Sequence, residues 1–342
     1  MLSRVADSIF WMNRYIERAE NVARFIDVNW HLMLDSDGGA ADDQWLALVN
    51  TTGDHAEFAK HYDKVTRDNV IKFLSFDEHN GNSILCCVRA ARENARTVRD
   101  VISSEMWEQI NTFHLMVRES TASGKALESP HEFFNQVKNA SHLFLGITDT
   151  TMSHGEGWNF ARLGQMIERC DKTSRILDVK YNMLNARNTS DADAIQWASI
   201  LKSASALEMY RKTHRRITPE RVVEFLMFDF EFPRAVLFCL AAADQALHSI
   251  THTPQGQAKM PAEQLMSELY RDLTTTTVSD VLASGLHQYV DGLQTRLNQV
   301  GIAIDNDFFS SEETLPVKKS TQILSQSQTQ TQTAGVQTQK QG

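Results

Sequence analysis

The chain reads as an all-α protein: an internally duplicated helical bundle, its halves related by a pseudo-two-fold axis, followed by a disordered C-terminal tail. Three observations lead there. A charged signature occurs twice: Ile16-Glu17-Arg18, Arg24 and Asp27-Val28 return 151 residues later as Ile167-Glu168-Arg169, Arg175 and Asp178-Val179. A second block, Val70, Phe73-Leu74, Phe76-Asp77 and Ile84-Leu85, returns 152 residues on as Val222, Phe225-Leu226, Phe228-Asp229 and Val236-Leu237. So long a period indicates a duplicated domain and not a solenoid of short repeats. Apolar residues also recur in steps of three and four, interrupted by only 6 prolines and 15 glycines in 342 residues. That spacing marks helices, and no run alternates in the way a strand requires.

The first helix is placed near residues 3–35, on a seam of Ile9, Met12, Ile16, Ala19, Ala23, Ile26, Trp30 and Met33. Its counterpart near 156–187 carries Phe160, Leu163, Ile167, Cys170, Leu177, Tyr181 and Leu184, with Ser174 as a break. Such a seam belongs on a long helix packed against other helices. Helical segments near 42–52, 55–63, 67–76, 82–101, 104–121 and 129–152 complete a first domain, residues 1–152. Segments near 191–214, 218–228, 233–251, 261–275 and 278–302 complete a second, residues 153–305. Thr218-Pro219 reads as an N-cap followed by proline in the first turn, and Pro233 similarly precedes an apolar run. Residues 306–342 form the expected tail, because Ser, Gln and Thr dominate from Ser320 onwards. Such a tract buries too little apolar surface to offset the entropy of ordering its backbone.

The net charge of −9 and pI near 5.7 disfavour nucleic-acid binding, which needs a basic face. No apolar run is long enough to span a membrane, and the N-terminal residues lack a signal-peptide core, so a cytoplasmic protein is expected. Cys86, Cys87, Cys170 and Cys239 contain no CxxC and sit among apolar helical neighbours, which points to buried free thiols.

Beside each apolar seam runs a charged stripe: Glu17, Glu20, Arg24, Asp27 and, in the second copy, Glu168, Asp171, Arg175, Asp178. Glu20 precedes Arg24 by four residues, the favourable order on a helix. Arg18 and Arg169 leave the stripe, since neighbouring residues diverge by roughly 100°. Two readings follow. The stripes form half-solvated salt-bridge ladders, each pair contributing about 0.2–1 kcal/mol. Alternatively the copies face each other and enclose a polar pocket for an amine, a carboxylate or another charged group.

Di-metal helical bundles use Glu-x-x-His pairs on facing helices. Here the spacing is Glu17-x-x-Glu20 and Glu168-x-x-Asp171, and the one Glu-x-x-His, Glu128 to His131, has no second copy. An arginine one turn after each acid pair opposes a cation, so no metal is expected. Arg89, Arg92, Arg96 and Arg99 line one helix face, and their counterpart, Ala241 to His248, lacks arginine. Arginine forks suit carboxylates and phosphates, which makes this face an anion or partner surface unless Glu93 and Asp100 pair with it. Arg211-Lys212, Arg215-Arg216 and Arg234 read as solvated helix faces. Trp158, near His154, either lines a pocket or packs. Phosphate-loop, GxGxxG, GxSxG and HExxH signatures are all missing, so neither a catalytic residue nor a cofactor is assigned. Arg169 beside Cys170 is the one feature that favours a thiolate.

The opening Leu2-Ser3-Arg4-Val5-Ala6-Asp7-Ser8-Ile9-Phe10-Trp11, followed by Arg14-Tyr15-Ile16-Glu17-Arg18-Ala19-Glu20, resembles the bacterial alpha-E family. So do Trp158, Leu163-Gly164 and Ile167-Glu168-Arg169, together with Ala91-Arg92-Glu93-Asn94-Ala95-Arg96 and Phe232-Pro233-Arg234. The resemblance spans roughly residues 1–300, and Gln165 departs from it where a basic residue is expected before the second Glu-Arg pair. It implies an all-helical domain in tandem, encoded with ATP-grasp carboxylate–amine ligases, transglutaminase-like proteins and proteasome-like peptidases. The implied role is that of an accessory protein in bacterial peptide synthesis or modification, binding the ligase, its peptide substrate, or both. Glu17, Arg18, Arg24, Glu168, Arg169 and Arg175 are the expected signature site. The rival readings are an enzyme using the acidic stripes for acid–base or transfer chemistry, and a purely structural scaffold.

Overall fold

The computed structural model describes residues 1–34, 41–185 and 192–310. Among these every regular element is a helix: α1 (Ser3–Leu34), α2 (Ala41–Thr52), α3 (His55–His61), α4 (Arg67–Ser75), α5 (Ile84–Thr97), α6 (Ser104–Ser123), α7 (Lys125–Glu128) and α8 (Pro130–Thr151), then α9 (Glu156–Asn185), α10 (Ala192–Ser203), α11 (Leu207–Thr213), α12 (Pro219–Phe228), α13 (Val236–Thr251), α14 (Pro261–Thr275), α15 (Val278–Ser284) and α16 (Leu286–Ile304). No helix among the described residues is long and apolar enough to cross a membrane.

Local chemistry sets most boundaries. The hydroxyls of Thr66, Ser83 and Ser103 accept the amides of Asn69, Cys86 and Met106, capping α4, α5 and α6. Thr218 caps α12 with Pro219 in its first turn, as expected. Gly124, at φ 72°, closes α6 in the left-handed conformation that glycine adopts without steric cost.

Two expected segments divide. The stretch 191–214 breaks into α10 and α11 at Ser205, which takes φ 51° with no glycine or proline to announce it. The stretch 278–302 breaks into α15 and α16 at Gly285, φ 88°. The ordered chain also runs past the expected tail boundary at 306. A π-helical turn, Asp305–Phe309, carries Phe309 to within 5.3 Å of the Phe10 ring and 5.9 Å of the Phe160 ring, centroid to centroid. Residues 311–342, most of the expected tail, lie outside the described residues.

The helices pack as two sets of four around a shared pair. In one set α1 packs on α5 and α8, and α6 bridges α5 and α8; in the other α9 packs on α13 and α16, and α14 bridges those two. Helices α1 and α9 lie against each other at the centre, with α2 crossing onto α9 and α10 onto α1. The apolar seam of α1 is shut away, with Ile9, Met12, Ile16, Ala19, Ala23 and Ile26 all completely buried.

The contact between α1 and α9 is close because Gly164 lets it be. A Cβ added at Gly164 would lie 2.3 Å from the Phe10 carbonyl oxygen and 3.1 Å from its carbon. Both atoms are backbone, so one helix must move. Gly164→Ala is expected to cost about 1–3 kcal/mol, the usual range for overpacking, seen as a lower urea midpoint at unchanged slope. An unchanged midpoint would show that the helices are not held at this separation.

Candidate functional site

Gly164 lies against Phe10 and Arg14, Glu168 against Arg14 and Arg18, and Arg169 against Glu17. Residue numbers rise together along this contact, so α1 and α9 run side by side in the same direction. In that arrangement the Glu of one signature meets the Arg of the other. Arg18 Nε donates to Glu168 Oε1 at 2.6 Å and Nη2 to Oε2 at 2.9 Å. Arg169 Nε donates to Glu17 Oε1 at 2.9 Å and Nη2 to Oε2 at 2.8 Å. Both are two-pronged pairs, the strong geometry for guanidinium and carboxylate. Glu17 is 1% exposed and Glu168 is fully buried.

These pairs correct the expectation of a polar pocket between facing stripes. Arg18 and Arg169, the residues that leave each stripe, make the cross-links, and the space between the helices is filled by their own salt bridges. Arg24 pairs with Glu20 one turn away and donates through Nη1 to the Ser203 carbonyl at 2.9 Å. It thereby satisfies an orphan carbonyl at the end of α10, where the helix dipole is negative. Arg175 pairs with Asp171 at 3.0 Å, while its Nη1 is buried without a hydrogen-bond partner. All six signature residues are buried, so the half-solvated ladder is also corrected.

The departure at Gln165 has a structural counterpart. Arg14, 151 residues before it, gives Glu168 a second guanidinium at 2.9 Å, whereas Gln165 offers Glu17 one hydrogen bond at 3.5 Å. Glu17 draws its second cation from Arg234 instead, whose Nη1 lies 3.0 Å from Oε1, with Nη2 3.1 Å from Glu20. Expected on a solvated face, Arg234 is 8% exposed. The 152-residue offset places Asn82 opposite Arg234, and Asn82 Oδ1 accepts from Arg18 at 2.5 Å. Lys172, not singled out by sequence, is 2% exposed between Glu168 and Asp171. The Phe232-Pro233-Arg234 motif was the available signal for Arg234; nothing local marked Lys172 as buried.

The electrostatics follow from these distances. Burial by itself raises the Glu17 carboxyl, but Arg169, Arg234 and Arg24 outweigh it and hold it below the usual carboxylate range. Glu168 is likewise lowered, burial being overcome by Arg18, Lys172 and Arg14. Asp171 is lowered to about 2 by Arg175 and Lys172 against burial. Burial pushes Arg234 down to about 10, with Glu17 opposing and Arg169 reinforcing the shift. The four cysteines are free and buried, as expected. Burial pushes Cys87 and Cys239 up to about 12 and Cys170 well above an ordinary thiol. Arg169 is engaged by Glu17, so the thiolate reading of Cys170 falls.

Arg89, Arg92 and Arg96 lie on α5, but that helix ends at Thr97, so Arg99, expected on the same helix face, sits in the turn beyond it; all are exposed except Arg92, which is partly buried. Arg89 pairs with Glu78 and Arg96 with Glu93, both in the open. Arg92 contacts Asn111 and Glu93. Arg92 and Arg99 lie 5.5 Å and 4.6 Å from the Trp107 ring centroid, forming a cation–aromatic surface. Trp158 borders a cavity of about 210 Å³ with Asn13, Thr148, Asp149, Arg162 and Gln165. Its ring stacks on His154 at 4.2 Å, and Arg162 lies 5.8 Å from its centroid. Gln165 joins that cavity to Glu17, so a small charged group seated there would adjoin the ionic centre.

The family model called Alpha-E, described as a predicted alpha-helical domain with a conserved ER motif, matches residues 1–309. Uncharacterized proteins of Mycobacterium bovis and Mycobacterium tuberculosis are each 25% identical over 303 residues, covering 83% of this chain and 34% of theirs. The chain thus spans about a third of the length of the curated relatives it matches. No solved structure matches it. A Glu-Arg pair stands on each of two adjoining helices and each closes on the other; on the match over residues 1–309, the chain belongs to the Alpha-E family.

Proposed function

We propose that this protein is a helical accessory component of a bacterial peptide synthesis or modification system, binding an ATP-grasp carboxylate–amine ligase, its peptide substrate, or both. The observation that carries the reading is that Glu17 and Glu168 are buried and each bound to two arginines. Carboxylates so held lack both the access and the raised proton affinity that acid–base catalysis requires. The signature therefore builds the scaffold, and recognition falls to the surface. Two features suit it: the arginine face around Trp107, and the cavity where Arg162 and Asp149 offer opposite charges beside Trp158. The second could seat a peptide end carrying both a carboxylate and an amine. In the longer relatives the matching segment is joined to further chain, in keeping with a domain that works alongside another. Two halves descended from one duplicated unit would account for the reciprocal pairing.

Tagged protein recovered from the cells that make it should bring down an ATP-grasp protein, identified by mass spectrometry. Arg96→Glu with Arg99→Glu should abolish recovery without shifting the melting temperature, because both residues are exposed. Wild-type protein that recovers no ATP-grasp partner defeats the proposal.

A further inference from the structure

At the far end of α1, away from the Glu-Arg centre, three donor atoms converge from two helices. Asp27 and His31 are one turn apart on α1, and His131 lies in the first turn of α8. His131 Nδ1 is 2.6 Å from Asp27 Oδ1 and 3.0 Å from His31 Nε2, and His31 Nε2 is 3.7 Å from the same carboxylate oxygen. The Glu128-x-x-His131 spacing gave no metal site in the sequence; the fold brings Asp27 and His31 to His131.

Hydrogen bonding accounts for only part of this triangle. A neutral imidazole nitrogen carries either one proton or one lone pair. If His131 Nδ1 donates to Asp27, it presents no lone pair to His31 Nε2. If it accepts from His31, it turns a lone pair on the carboxylate 2.6 Å away. Three electron-rich atoms drawn together in this way are satisfied at once by a cation between them. Donors bound to a metal at about 2.0–2.1 Å lie roughly 3–3.4 Å from one another, and the observed separations bracket that range.

The surroundings are built in the same sense. Asp27 is 5% exposed, so its carboxylate is held in place, whereas the side chains of His31 and His131 are half exposed. A solvent-facing position would therefore remain for water or a further donor. Asn135 Nδ2 lies 2.8 Å from His131 Nε2 and donates to it as placed; ligation through Nδ1 requires this amide to turn over, so that its oxygen accepts the Nε2 proton. Lys138 binds the outer oxygen of Asp27 at 2.7 Å. It keeps the carboxylate oriented, and its charge limits the affinity. The same offset places Asp178 opposite Asp27, and His287 Nδ1 meets Asp178 at 2.7 Å, but the position matching His31 is Asn182. The second half thus has one histidine where the first has two.

We propose that Asp27, His31 and His131 form a binding site for a divalent transition metal of the zinc class, with two imidazoles, one carboxylate and solvent as ligands. Nitrogen and oxygen donors with an open position suit such an ion, and calcium or magnesium would demand more oxygens. The site clasps the end of α1 to the start of α8.

Untagged, chelator-treated protein titrated with Co²⁺ should bind one equivalent and develop visible absorption from the bound ion. His31→Asn and His131→Asn should each weaken binding by more than about 100-fold, above the 10–100-fold cost of losing a supporting group. Both side chains are half exposed, so unchanged melting temperatures without metal confirm that the variants fold. His287→Asn should leave Co²⁺ binding as it was. No stoichiometric binding by the wild type, or binding that survives both His31→Asn and His131→Asn, overturns the proposal.

Discussion

Glu17→Ala is expected to destabilise the fold by about 3–5 kcal/mol, the cost of stranding a buried charge. The substitution leaves Arg169 and Arg234, both within the interior, without the carboxylate that each reaches at 3.0 Å or less. Glu168→Ala should cost a similar amount, because it strands Arg14 and Arg18 and leaves Lys172 with Asp171 alone. Urea denaturation with the paired variant Glu17→Ala/Arg169→Ala separates pair from fold. If the pair is the unit, the double variant should lose less than the sum of the single losses. Additive losses, or a Glu17→Ala cost under about 1 kcal/mol, would mean that these side chains behave as an exposed ladder.

The second large effect is on acid stability. Glu17, Glu168 and Asp171 have carboxyls lowered in the folded state, and so does Glu263, brought to about 2. For Glu263 burial acts upward, and the amides of Met260 and Lys259 with the hydroxyls of Thr251 and Thr253 overcome it. A lowered folded value means that the unfolded chain takes up protons first. The stabilisation is therefore complete above about pH 5 and drains away as pH falls through 4 towards 2. Asp54 and Asp178 run the other way, since burial raises both, and they offset part of the loss. Glu57, Asp77 and Asp280 are lowered as well, so seven lowered carboxyls stand against two raised ones and leave a net loss on acidification. The urea midpoint should fall steeply below pH 4, with an uptake of about two or more protons on unfolding near pH 3. A midpoint flat from pH 5 to pH 2.5 would contradict the ionised centre.

Much of the helical plan was legible because helix periodicity and caps are local. Ile9, Met12, Ile16 and Ala19 announced a buried face, and Thr218-Pro219 announced a start, using chemistry contained within a few residues. The break at Ser205 was not legible, because no residue there favours a left-handed backbone; the bend accompanies a carbonyl at Ser203 that Arg24 satisfies from another helix. Arg234 was misjudged for a related reason. A lone arginine after proline carries no sign of burial until Glu17, 217 residues away, is brought beside it.

The amino-acid order alone determined that this is a helical protein and that Glu-Arg occurs twice, since spacing along one helix encodes its faces. Only the tertiary structure decided what those charges do. The parallel docking of α1 on α9, made possible by a backbone approach at Gly164, turned each Glu towards the other helix's Arg and closed the space between them. Which charges pair across 150 residues depends on helix register and separation, and those are set by packing rather than by any local pattern.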